Sequence, residues 1–284
     1  MAAVAARPAR EPAPVPATAP GRRRGSLPVW RWVILLIAGV YFLLPLYAAV
    51  RFAGLKAFGS VFTQPGFAPS LWLSARLAAV TWLSTMALMI PTTVYVHLRL
   101  PRMRQLLESV TILPIVIPPV VLIVGVLQVM PLALRSSVWL LGLEYVILAL
   151  PFGYRAIDAG LRAIDIKTLT EASGSLGAGP VSTLWRVLLP NMRTAILSAT
   201  ILIVALVLGE FTMASLALKE TFPAWIVEFD QLNANISVAA SIFALLVTWI
   251  LLMLITLVAT RQSRRAGGGE VTLFTVAPRE TIGS

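Results

Sequence analysis

Two stretches stand out from an otherwise apolar chain by the residue types they carry. The first is Glu171-Ala172-Ser173, followed after three residues by Gly177 and after nine more by Val187-Leu188-Leu189-Pro190. It holds no pair of groups suited to making or breaking bonds. Asp165 and Thr168 are placed to cap a helix that carries Glu171. Gly174, Gly177, Gly179 and Pro180 then force a turn, and Ser182 or Thr183 begins a second short helix that stops at Pro190. The expected product is a rigid knob, suited to mechanical contact with another chain. The second stretch is Gly209-Glu210-Phe211, a carboxylate inside a long apolar run. An ionised group in hydrocarbon persists only beside a cavity, a cation or a hydrogen-bond donor. Glu210 and Phe211 therefore read two ways: as residues of a solute pathway, or as part of a contact that ties two helices together.

Enzyme chemistry finds no support. There is no G-x-x-x-x-G-K-[ST] phosphate loop, so the chain is not itself an ATPase. The one histidine, His97, sits at the edge of an apolar run and reads as a solvated interface residue; no nucleophile–base pair accompanies it. There are no cysteines, and no ligand spacing suggests a metal site.

The elements that must position these stretches follow from composition. Of 284 residues, 58% are hydrophobic and 12% charged, against roughly 45–50% and about 25% in soluble domains. A bilayer accommodates such a chain directly. Six runs, at 30–50, 71–96, 110–131, 138–157, 195–217 and 238–260, are each near the ~20 residues that cross the hydrocarbon core. The fourth is the weakest, because Glu144 and Pro151 interrupt it. The stretch LPIVIPP at 113–119 is a candidate kink. Continuous apolar runs argue against a closed β-barrel.

Arginine and lysine set the orientation. They crowd the N-terminal segment, the stretch 99–104, the loop 158–194 and the tail. By the positive-inside rule both termini and the loop 158–194 are cytoplasmic. The formal charge of +11 is spread over these clusters. That is a topology signal rather than the single basic face of a nucleic-acid binder. Residues 1–28 are expected to be a disordered Ala/Pro/Arg segment and 263–284 a cytoplasmic tail, with one transmembrane domain over 29–262. The acidic stretch around Glu220, Glu228 and Asp230 falls in an external polar loop over 219–237.

The spacing of Glu171, Ala172, Ser173, Gly177, Val187, Leu189 and Pro190 resembles the EAA loop of binding-protein-dependent ABC importer permeases, whose pattern is E-A-A, three residues, G, nine residues, I-x-L-P. Ser173 replaces the second alanine and Val187 the isoleucine. The resemblance covers roughly residues 30–260. It implies an all-α integral membrane protein of the type I importer permease fold, in the bacterial plasma (inner) membrane. It also implies that residues near 172–182 form a coupling helix in a groove of a separate ATPase subunit. Gly177 would permit close approach there, and ATP would be bound on that partner, with no cofactor on this chain. A second permease subunit, an extracytoplasmic solute-binding protein and membrane lipid complete the implied partners. The Gly209-Glu210-Phe211 stretch resembles spermidine/putrescine-type permeases, which suggests a cationic cargo such as a polyamine; iron, phosphonate, thiamine and sugar importers are similar. The competing class is a secondary transporter or channel that works without an ATPase. It would leave the EAA-like loop without a role, and no repeat relates the two halves of the chain.

Overall fold

The computed structural model describes residues 29–266. The segment 1–28 and most of the tail therefore lie outside the described residues. Every regular element among the described residues is helical. The chain forms two compact units that part between Tyr47 and Ala48. The described part of the first is the opening of α1 (Val29–Ala53). Trp32, Leu36, Tyr41, Phe42 and Tyr47 are all exposed on it. A helix that is apolar all round, with no stripe, is matched to acyl chains.

The second unit runs through α2 (Leu55–Val61), α3 (Phe67–Arg99), α4 (Arg104–Val116), α5 (Pro119–Val129), α6 (Leu132–Arg135), α7 (Val138–Arg162), α8 (Ile166–Ser175), α9 (Pro180–Thr183), α10 (Leu189–Asn191), α11 (Arg193–Gly209), α12 (Thr212–Leu216), α13 (Phe222–Asp230) and α14 (Ala234–Ala266). Among the described residues four helices, α1, α3, α7 and α14, are long and apolar enough to cross a membrane, or up to six if each of two bent pairs is one span.

Several expectations change in detail. The run 110–131 is two helices that meet at 94°. Ile117, which precedes a proline, is extended (φ −88°, ψ 121°), as the clash with the proline ring favours. Pro118 then caps α5 and Pro119 opens it. The run 195–217 is not one helix either: α11 stops at Gly209 and Glu210 is extended. Its 17 residues rise about 26 Å at 1.5 Å each. The expected weak fourth span is instead continuous through Glu144 and Pro151 as far as Arg162. The stretch 219–237, expected to be an external polar loop, is not a plain loop, because α13 packs Phe222, Trp225 and Ile226 inward.

The core forms where α3, α7 and α11 pack, with Ala149, Ile157, Ala199 and Ile203 fully buried. Small residues allow the approach. A Cβ on Gly153 would lie 2.9 Å from Thr85 Cγ2, and one on Gly160 would clash with Ala195. The Trp82 indole N–H donates to Thr200 Oγ1 at 2.9 Å, tying α3 to α11. At the far end, Phe67, Phe222, Trp225 and Phe243 form an aromatic cluster. The Trp225 indole donates to the Pro65 carbonyl at 3.0 Å.

Candidate functional site

The loop after α7 folds as two short helices around a tight turn. Asp165 caps α8: its carboxylate accepts from the Thr168 N–H at 3.2 Å and the Thr168 hydroxyl at 2.7 Å. These donors hold its carboxyl below the usual carboxylate range. The helix does not break at Gly174 but runs to Ser175. Gly177 then takes φ +80°, with Ala178 N–H donating to Ser173 O (3.1 Å) and Gly177 N–H to Gly174 O (2.9 Å). This is a Schellman end, and the left-handed residue it needs is the reason for glycine here. Beyond its two chain neighbours, no described residue places an atom within 4 Å of a Cβ built on Gly177, so this side of the turn is open among the described residues.

The second helix begins at Pro180 and widens into a π-type turn at Leu184–Leu188. It does not stop at Pro190: α10 carries it to Asn191. The piece Pro180–Asn191 lies at 79° to α11. Ser173 and Thr183, both buried, join the two loop helices through their hydroxyls at 2.9 Å. Thr183 also donates to the Gly179 carbonyl at 3.1 Å. The serine that departs from the family alanine thus makes a contact that alanine could not.

Glu171, Ala172 and Gly177 are exposed, as are Leu176 (89%), Val181 and Trp185. Three large apolar side chains exposed beside one turn mark a contact surface. Val187 and Leu189 are half-buried and Pro190 is exposed. The residue that anchors this helix is Leu188, 1% exposed, with Met192 beyond it. Glu171 also borders a groove of about 740 Å³ whose walls include Tyr95, Arg99, Lys167, Val181 and Leu184.

Glu210 lies at the break between α11 and α12 and is 8% exposed. Its carboxylate accepts from Met213 N–H at 2.8 Å, Ala214 N–H at 3.4 Å and Tyr145 OH at 2.9 Å. It satisfies the first free N–H groups of α12 and bridges to α7. The inter-helix contact is therefore present. Glu210 and the half-buried Phe211 also border a pocket of about 370 Å³ with Ile115, Ile117, Pro119 and Phe152. Two helix breaks thus face one cavity, as discontinuous helices do where backbone lines a site.

A third cluster escaped the sequence reading. Asp158 on α7 is 6% exposed. Its Oδ1 lies 3.1 Å from His97 Nε2 and 3.0 Å from Arg104 Nη2, and it accepts from Arg104 Nε at 3.2 Å. Its Oδ2 lies 2.7 Å from Arg162 Nη2. His97 is accordingly a buried partner rather than a solvated interface residue. Only the i, i+4 pair Asp158–Arg162 was visible in the sequence; the others lie 54 and 61 residues away.

The chain is similar to known transport proteins. It is 28% identical over 196 residues to the molybdenum transport system permease protein ModB of Mycobacterium bovis, covering 64% of this chain and 74% of that one. It is 34% identical over 103 residues to the Fe(3+)-transport system permease protein FbpB 2 of Haemophilus influenzae, covering 36% of this chain but 20% of the relative. Its fold matches a chain in the crystal structure of a bacterial ABC transporter involved in the import of the acidic polysaccharide alginate, with a TM-score of 0.62 at 15% identity over 84% of this chain and 95% of that one. The fold is that of type I ABC importer permeases. Residues 78–268 match the model of the binding-protein-dependent transport system inner membrane component family. The chain belongs to that family: it is a multi-pass inner membrane transport component and not an enzyme.

Proposed function

We propose that this chain is one of two membrane-spanning subunits of an ATP-binding cassette importer for a small tetrahedral oxyanion of the molybdate class. The observation that carries the substrate is the molybdenum transport relative, matched over 74% of its length. The iron relative is matched over only a fifth of its own. The polyamine expectation came from the resemblance of the Gly209-Glu210-Phe211 stretch, with Glu210 as the acceptor of a cation. Glu210 instead spends its oxygens on three donors of its own chain, which supports a structural use. A separate ATPase subunit binds the ATP and seats the loop 158–194 through Glu171, Ala172, Gly177 and the exposed Leu176, Val181 and Trp185. An external binding protein delivers the solute. The termini and this loop face the cytoplasm, by the arginine distribution.

The test is uptake of labelled molybdate by cells that express the chain with its partner subunits. Deleting this chain should abolish uptake, and tungstate should compete where ferric iron and spermidine do not. Spermidine uptake that depends on the chain, with molybdate unaffected, would reject the oxyanion assignment. Orientation is tested apart from cargo. A cysteine replacing Ser182 should be shielded from an impermeant thiol reagent in intact cells and react once the cells are opened.

A further inference from the structure

We propose that Asp158 is a mechanical latch that carries movement of the loop 158–194 to the helix lining the Glu210 pocket. The inference rests on the permease reading above. Three elements meet at this one carboxylate: α3 through His97, the first residue of α4 through Arg104, and α7 through Arg162. α7 leads straight into the loop, because Arg162 is its last residue and Asp165 caps α8. α4 leads the other way. It ends at Val116, and Ile115 and Ile117 border the pocket beside Glu210 and Phe211. Its 13 residues form a lever about 20 Å long.

The chemistry suits a rigid coupling. Asp158 is buried, and a buried carboxylate separated from its cations is strongly penalised, so the charges favour moving together. Arg104 donates one hydrogen bond to it from Nε, with Nη2 of the same guanidinium at ion-pair distance from the same oxygen. His97 is oriented in turn by Nδ1, 2.9 Å from the Thr93 carbonyl. A tilt of α7 driven from the loop would therefore draw the Arg104 end of α4 with it. The Ile117–Pro118 break leaves α4 able to swing separately from α5. Asp158 is a positioning residue in this account and touches no cargo.

The chain lacks cysteine, so Ile115→Cys gives a single reporter in the complex assembled with its ATPase subunit. The reaction rate of this thiol is measured with and without a non-hydrolysable ATP analogue. With Asp158 intact, the rate should change at least several-fold. Asp158→Asn should reduce that change to less than twofold while the complex still assembles and its basal ATP hydrolysis stays within about twofold. Asp158→Glu, which keeps the charge, should restore part of the response. A response that survives Asp158→Asn overturns the latch. So does a response lost equally in the Asn and Glu variants, or lost together with assembly, since either marks a merely structural residue. A thiol that ignores nucleotide with Asp158 intact overturns the pathway reading itself, a separate failure.

Discussion

The two helix breaks that border the same pocket are made by opposite means. At Ile117–Pro118 the break comes from the chain's own neighbours: a proline ring disfavours helical geometry in the residue before it, and here two prolines follow in succession, the second opening the next helix. At Glu210 no ring intervenes. The helix stops because a carboxylate accepts the N–H groups of α12 and the hydroxyl of Tyr145. The first break is favoured by residues adjacent in sequence and needs no distant side chain. The second exists only as long as three donors, one of them on α7, stay in place. A pocket wall built from one locally set and one conditional break can change shape on one side alone.

The sharpest way to test this contrast is to remove the conditional break. Glu210→Ala leaves Met213 N–H, Ala214 N–H and the Tyr145 hydroxyl buried without their acceptor. At about 1–3 kcal/mol for each stranded donor, with some relaxation, the expected loss is about 3–5 kcal/mol. Denaturant unfolding of the detergent-solubilised chain measures it. A loss under about 1 kcal/mol would mean that packing, and not the carboxylate, holds the break. Glu210→Gln keeps an acceptor oxygen and should lose less, about 1–2 kcal/mol on the same scale.

The contrast also explains what could be read from sequence. The LPIVIPP stretch was visible as a kink because proline acts on its own neighbours. The Glu210 break was not, because Gly209-Glu210 alone is compatible with a continuing helix and one of the donors to its carboxylate, Tyr145, lies 65 residues away. The loop was legible for the same local reason: Asp165 caps Thr168, and the glycine at 177 marks the left-handed turn. Its extent was misjudged at Gly174 and Pro190. Gly174 is tolerated inside α8, and the π-type turn, closed by Leu189 N–H to Leu184 O, reshuffles the bonds ahead of Pro190. The Asp158 cluster, assembled from α3, α4 and α7, had no local signature beyond Arg162. The cargo was least legible. The stretch Gly209-Glu210-Phe211 suggested a cation acceptor, and the structure engages that carboxylate within the chain.

A milder change tests the far side of the conditional break. Tyr145→Phe removes one donor and no volume beyond the hydroxyl. The oxygen it served still has Ala214 N–H at 3.4 Å. The expected cost is about 1 kcal/mol, the net value of one hydrogen bond, read from the same unfolding midpoint. A cost as large as that of Glu210→Ala would place most of the carboxylate's effect in its link to α7 and little in the cap on α12.

The smallest effect on stability is expected at the fixed break, and there the readout is geometry. Pro118→Ala alone should change little, because Pro119 still imposes the same restriction one residue further along the chain, on position 118. The double variant Pro118→Ala with Pro119→Ala removes both rings and restores two N–H donors, so a continuous helix becomes possible. Its stability should lie within about 1 kcal/mol of the parent, since regained backbone bonds offset lost packing. Spin labels on cysteines replacing Ser109 and Val129, both exposed, report the shape. Twenty residues of straight helix span about 30 Å, whereas the same stretch turned through a right angle at Ile117 spans about 20 Å. The single variant should stay near the shorter distance and the double variant should move toward the longer. A double variant that keeps the short distance would show that α12 and α7 hold α5 in place. Both breaks would then be conditional, and the contrast between the two sides of the pocket would disappear.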